Sequence, residues 1–400
     1  MDQSLAVLTQ GYAWLPDLLR AAGAPVVRTR VMGKRAVCVH GVDAAKAFYD
    51  EANVRRGGAL PEPVKSTLFG HGAVHTLDTD SHRRRKELFT GLLMNREGIG
   101  SLCDLVEVAW DKRVSAWRPG RPVSLFEESA AVLTSAVSTW VGLADEDDGA
   151  ASDLVAMVDG FATPSPRHFA ARRARDRQER RLAAVVQDVR AGAASVPADS
   201  AVHAIATHTD DNGDLLPPRV AAVEILNVIR PTVAVAWFAT FSAHAMHLWP
   251  HTRDRVAHDD RYVLAFADEV RRFYPFAPFL GGVAARDFEL AGTRVPEGAM
   301  VILDVYGHNH DPALFPEPYT FDPARFEGRE IGQYELIPQG GGHPASGHRC
   351  PGEDIVVALL SVLVPRIARL DVEVPDQDLE IPFDRIPTLP RSGFTVTPRG

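Results

Sequence analysis

Between Ser81 and Leu248 apolar positions recur at three- and four-residue spacing with little interruption, the period of helices that each bury one face. Breaks fall at Arg118, Pro119 and Gly120, at Pro164 to Pro166, and at Pro217 and Pro218. The N-terminal stretch MDQSLAVLTQGYAWLPDLLR predicts an amphipathic helix. Two Val-rich runs within Pro25 to Gly41, separated by Met32, Gly33 and Lys34, predict a β-hairpin. Beyond Pro275 the pattern shortens to strands and turns over Asp287 to Gly298 and Val301 to Gly307. An irregular Pro-, Gly- and Phe-rich stretch follows up to Gly352, then a helical run from Glu353 to Leu370 and short strands near the C-terminus. No internal repeat or low-complexity linker divides the chain, so one domain over residues 1–400 is expected, mainly α with a small β portion.

Val233 to Trp249 is mostly apolar but short, and is interrupted by Thr240, Ser242, His244 and His247. A membrane span needs about 20 apolar residues, so a buried helix is expected instead. The N-terminus has no basic leader ahead of a long apolar core, which predicts a cytoplasmic protein. A composition of 46% apolar and 24% charged residues suits a folded globular chain. The net charge of -9 disfavours nucleic acid as a partner, because nonspecific binding rests on a basic field. Locally, Arg167 to Arg181 is densely cationic and reads as a solvated helix face, with an internal anion or partner contact as the alternative. Cys38, Cys103 and Cys350 are odd in number and lack metal-like spacing, which argues against a disulfide framework.

Of the three, Cys350 has the most informative surroundings. It closes the run Gln339, Gly340, Gly341, Gly342, His343, Pro344, Ala345, Ser346, Gly347, His348, Arg349, Cys350, Pro351, Gly352, directly ahead of a long helix. Glycines let a backbone lie flat against a planar ligand, and a helix mouth stabilises a thiolate. The alternative is a free cysteine in a surface loop. Glu269 and Arg272 are three apart on a predicted helix and can pair, although the spacing alone suits an exposed pair equally. A third feature is Arg230 followed by Pro231 inside the apolar helix predicted for Ala221 to Trp249. The proline bends the helix, and no carboxylate lies within helical reach of the arginine. Arg230 therefore answers either to a distant structural acid or to an anionic substrate.

Together these segments resemble the cytochrome P450 family, with Cys350 as the axial thiolate of haem b and the haem held between the distal kinked helix and the cysteine loop. The usual family loop has Phe seven residues before the cysteine and Gly four before it, where this chain has His343 and Ser346. In that respect the loop is similar to the longer Gly-rich loop of the fatty-acid peroxygenase branch, and Arg230 with Pro231 resembles that branch's replacement of an acid and Thr pair. The resemblance implies that His348, Arg56, His82 and Lys86 meet the haem propionates. It implies that Phe69 and His75 line an acyl channel, and that Glu269, Arg272 and Arg325 (in FDPARF) form a structural network behind the haem.

The implied activity uses hydrogen peroxide as co-substrate, with no reductase partner, to hydroxylate a fatty acid or other carboxylate at the α or β carbon. Arg230 is the substrate anchor, beside Pro231. His75 matches a position found as histidine in alkene-forming members, so decarboxylation to a terminal alkene is included; the plainer role is a channel histidine that orders water. Two alternatives stand beside this reading: a dioxygen- and redox-partner-dependent monooxygenase in which Thr232 or water carries protons, and a haem-binding sensor without turnover.

Overall fold

The structure, a computed structural model, describes residues 2–143, 148–161 and 165–399. The expected hairpin forms from strands Val26–Val31 and Lys34–Val39, paired antiparallel with Val26 opposite Val39 and Val31 opposite Lys34. Met32 and Gly33 at its turn take φ of 52° and 73°, the left-handed pair whose twist matches that of the flanking strands. The second strand runs parallel to Met300–Asp304, with Cys38 opposite Ile302. Phe279–Ala284 and then Val54–Arg55 complete a five-stranded sheet. Cys38 is thereby sealed in the core, and burial pushes its thiol up to about 12.

Helices fill the middle of the chain as the periodicity predicts: Thr79–Leu93, Arg96–Ser115, Leu125–Val141, Asp148–Asp159, Pro166–Arg190, Pro218–Val233, Val235–Leu248 and Asp260–Phe273. Pro166 and Pro218 each open a helix, where the missing amide costs nothing. The break at Arg118 to Gly120 is present, whereas Pro164 lies outside the described residues. The N-terminal stretch is two helices, Ser4–Gln10 and Trp14–Ala22, because Gly11 at φ 54° turns the chain between them.

The helix expected over Ala221 to Trp249 is interrupted at Ala234, three residues after Pro231. There Trp237 N–H reaches only to Ala234 C=O at 3.1 Å, a tighter turn than the α-helix. The Pro218–Leu248 stretch is long and apolar enough to cross a membrane, yet 89% of its most apolar window is buried within the fold, as in a core helix. Ile225, Ile229, Ala236 and Phe241 along it join Leu133, Val137, Leu359 and Leu363 in the largest hydrophobic cluster. This helix and the Glu353–Ala368 helix, which follows Cys350, thus pack into one core.

The cationic helix Pro166–Arg190 departs in part from the solvated face expected of it. Arg172, Arg173, Arg177 and Arg180 point outward, but Arg175 is buried. Its Nη1 donates to Leu68 C=O at 2.6 Å and its Nη2 to Phe69 C=O at 3.0 Å, while Nε pairs with Glu179 at 2.6 Å. Gly70, directly after that segment, has φ 86°, and a Cβ there would lie 2.2 Å from the Arg175 guanidinium. Glycine is required by both conformation and space.

Candidate active site

The loop ahead of Cys350 is held by polar contacts that its glycines alone do not reveal. Cys350 N–H donates to Gln339 C=O at 3.1 Å. The Arg271 guanidinium donates to Gln339 Oε1 at 2.7 Å and pairs with Glu353, which also receives Arg349 Nε at 2.6 Å. Gly340, at φ 101°, lets the Tyr49 hydroxyl pass 2.4 Å from where a Cβ would stand. Cys350 is free. Burial raises its thiol above the usual range in the protein chain alone, while the Gly352 N–H, Lys86 and Arg271 pull it back down.

Beside this loop His82 and His348 stack with ring centroids 3.9 Å apart. Both rings lie 3.7 Å from Glu51 Oε1, and His82 Nδ1, His348 Nε2 and Glu51 Oε1 are buried without a hydrogen-bond partner among the described residues. Burial, then nearby cations, lowers His82 to about 4 and His348 to about 2, so both imidazoles are neutral near pH 7. Lys86, lowered by burial to about 8, donates to Arg349 C=O at 2.6 Å. Arg56 is buried with its guanidinium 3.9 Å from the Phe48 ring centroid and donates to Gly281 C=O at 3.3 Å. Unsatisfied imidazole nitrogens and two buried cations beside a free thiol form a donor set suited to a haem whose carboxylates take those hydrogen bonds. The residues present fit the group. Glu51 is the member of this cluster that the sequence reading missed, since an acid in a DE pair carries no local signal.

Across from the loop, Arg230 is buried within Pro218–Val233. Among the described residues the only hydrogen-bond partner of its side chain is Asn227 Oδ1, at 3.4 Å, and its Nε has none. Burial, then repulsion from Arg175, lowers it to about 9, and the Cys350 thiolate acts in the opposite direction. The guanidinium lies 5.8 Å from the Phe69 ring centroid, and Phe69 packs on His75 with centroids 4.5 Å apart. His75 Nδ1 is buried without a partner, and burial followed by Arg230 lowers the ring to about 3. The fold therefore brings Arg230, Phe69 and His75 together. Thr232, by contrast, is engaged: its hydroxyl donates to Val228 C=O at 2.9 Å.

Glu269, Arg272 and Arg325 also come together, away from that cluster, and Glu269 and Arg272 are fully enclosed rather than an exposed pair. Arg272 binds Glu269 through two contacts of 2.7 and 2.8 Å and donates to the carbonyls of Asn309, Pro318 and Thr320. Arg325 lies 3.3 Å from Glu269 and donates to the Pro316 and Thr320 carbonyls.

A family profile described as "Cytochrome P450" matches residues 257–397. Among solved structures, the chain is similar to cytochrome P450SP alpha (CYP152B1) in complex with (R)-ibuprophen, at 40% identity over 99% of this chain and 98% of that one, with a TM-score of 0.96. It is similar to cytochrome P450EX alpha (CYP152N1) with myristic acid at 33% identity, covering 99% and 96% of the two chains, TM-score 0.94. A cytochrome P450 OleT variant with arachidonic acid matches at 34% identity, again covering 99% and 96%, TM-score 0.95. Among curated relatives, (21S)-21-acetyl-1-hydroxy-apo-melianone synthase CYP88A164 of Melia azedarach matches at 22% identity over 89% of this chain and 80% of that protein's length, while others match over shorter stretches. Cytochrome P450 4e5, mitochondrial, of Drosophila mettleri is 29% identical over 118 residues, 30% of this chain but only 22% of that protein's length. With likeness to solved structures running end to end, the chain belongs to the cytochrome P450 family, whose fold implies a haem-thiolate iron and oxidoreductase chemistry.

Proposed function

We propose that the protein is a haem-thiolate peroxygenase that uses hydrogen peroxide, without a reductase, to hydroxylate a fatty acid at the α or β carbon. The observation that carries this reading is Arg230: a buried guanidinium with no acid partner among the described residues and a single amide contact at 3.4 Å. An unpaired buried cation is costly, and an anionic ligand removes that cost. The solved relatives with myristic and arachidonic acids, and with the acid (R)-ibuprophen, support a carboxylate as that anion.

In this mechanism Cys350 would hold haem b through its thiolate, with His348, His82, Lys86 and Arg56 as the residues that would bind its carboxylates. When bound, haem supplies the iron centre at which peroxide is cleaved and the substrate oxidised. Arg230 binds the substrate carboxylate, which brings a proton-carrying group into a stretch of helix whose own hydroxyl, Thr232, is committed to Val228. Anchoring that end holds the α and β carbons nearest the reacting centre. Phe69 lines the path of the chain, and Pro231 keeps the helix locally irregular beside the guanidinium. His75, neutral near pH 7 and unpartnered at Nδ1, is placed to order water or accept a proton next to the carboxylate; partial decarboxylation to a terminal alkene is the product that a proton-accepting role would favour. A dioxygen-dependent route through Thr232 would need that hydroxyl released from its helix carbonyl first.

The test is turnover of myristic acid driven by peroxide with no reductase present, followed by product mass spectrometry. The expected result is a hydroxy acid oxidised near the carboxylate, lost in Arg230→Ala. No peroxide-dependent product, or an unchanged rate in Arg230→Ala, overturns the reading. Loss of the thiolate-type haem absorption in Cys350→Ala checks the ligand independently of activity.

A further inference from the structure

Arg230 does not stand alone on its helix. Glu224, Asn227 and Arg230 follow at three-residue intervals along Pro218–Val233, so they lie along one side of it. Glu224 is fully buried and collects three donors: Arg85 Nη1 at 2.6 Å, Val74 N–H at 2.9 Å and Asn227 Nδ2 at 3.1 Å. Asn227 Nδ2 also donates to Phe69 C=O at 3.1 Å, while its Oδ1 faces Arg230.

The orientation of that amide is forced. The groups around its nitrogen, a carboxylate oxygen and a backbone carbonyl, only accept, whereas the guanidinium facing its oxygen only donates. Turning the amide over would make all three contacts repulsive. An amide is a planar group that donates at one end and accepts at the other without carrying charge. It can therefore stand between Glu224 and Arg230 and join them without forming an ion pair.

We propose that Asn227 is a positioning residue that keeps Arg230 oriented yet unneutralised, insulating it from the Glu224 carboxylate so that its charge remains available to an incoming carboxylate. The same amide fixes the Phe69 carbonyl, so the anchor and the channel wall beside it share one support. On the other side of that segment Arg175 holds the Leu68 and Phe69 carbonyls, and its charge is spent on Glu179. Two buried arginines thus flank the Phe69 segment, one with an acid and one without.

This inference rests on the reading of Arg230 as the carboxylate anchor, and the experiment separates the two. Haem-loaded wild type, Asn227→Asp, Asn227→Leu and Arg230→Leu are compared by equilibrium dialysis for myristate and for the uncharged tetradecan-1-ol. Asn227→Asp places a carboxylate oxygen against Arg230 in nearly the same shape, while its second oxygen meets the Glu224 carboxylate and the Phe69 carbonyl. Asn227→Leu is therefore included as the variant that adds no charge. The myristate affinity of Asn227→Asp is expected to fall at least about tenfold, with the alcohol unchanged within about threefold. Asn227→Leu, which removes the acceptor without adding charge, is expected to weaken myristate by a smaller factor, again sparing the alcohol. Unchanged myristate affinity in Asn227→Asp, or equal loss of both ligands, overturns the proposal. If Asn227→Asp does not load haem, Asn227→Leu decides: selective weakening of myristate supports the proposal, and wild-type affinity for both ligands overturns it. Arg230→Leu binding myristate normally would instead defeat the anchor reading itself.

Discussion

Arg230 and Arg272 are both buried inside helices, yet their surroundings are opposite. Arg272 has a bidentate carboxylate and three backbone carbonyls, so its guanidinium is satisfied. Arg230 has one amide oxygen at 3.4 Å and an unpartnered Nε. Burial alone does not separate structural from functional arginines. Whether the donors are filled by the protein does, because a guanidinium has five N–H groups and buried donors need partners. A filled arginine locks segments together, and an unfilled one keeps donors open to an anion, the role proposed for Arg230.

The sharpest way to break this comparison is to remove the partner of the filled arginine. Glu269→Ala leaves Arg272 buried and unpaired, and urea unfolding should show a loss of about 3–5 kcal/mol or failure to accumulate folded protein. In contrast, Arg230→Leu should leave the folding midpoint unchanged or slightly raised, because an uncompensated buried charge is replaced by an apolar side chain. Its kcat/KM for myristic acid with peroxide should nevertheless fall by about 100-fold or more, equivalent to ~2.7 kcal/mol. A stability loss without an activity loss in Arg230→Leu would reverse the assignment of the two residues.

A smaller effect concerns the unfilled histidines. His75 and His82 have folded pKa values of about 3 and about 4 against 6.5 when exposed, so below pH 6.5 the unfolded chain takes up protons that the folded chain does not. Their contribution to stability is therefore fully present above pH 6.5 and is lost as the pH falls toward 4. Haem-free protein should lose on the order of 1–3 kcal/mol across that interval, with His75→Gln flattening the dependence. A urea midpoint independent of pH between 6.5 and 4 would show that these rings are not held neutral. The smallest effect is expected at Thr232. Because its hydroxyl already serves Val228, Thr232→Val should change peroxide-driven turnover by no more than about threefold, and a larger loss would assign it a proton-carrying role.

The sequence made some of these residues legible and concealed others. Cys350 was readable in part from a local signal: a glycine run, then a cysteine, then a helix. That pattern suits a free surface cysteine equally, and the family resemblance is what singled it out. Arg230 was readable because a charge beside a proline is conspicuous in an apolar helix. Asn227 and Glu224 were not singled out, although they occupy the preceding positions on the same helix, because a buried Asn or Glu is informative only once its partners are known. Those partners, Phe69, Val74 and Arg85, come from a different part of the chain. Arg175 was hidden for the opposite reason, being one arginine among several, of which Arg172, Arg173, Arg177 and Arg180 are exposed.

By itself, the sequence determined what depends on neighbours along the chain: the helical period from Ser81 onward, the hairpin turn around Met32 and Gly33, the glycine-rich loop ahead of Cys350, and the presence of an arginine beside a helix proline. Tertiary structure decided which charges are satisfied. The carbonyls that fill Arg272 belong to Asn309, Pro318 and Thr320, and the amide that leaves Arg230 unneutralised is oriented by Phe69 and Glu224. Hydrogen-bond satisfaction is a property of the groups within about 3 Å of an atom, and in a buried site most of those groups arrive from segments distant in sequence.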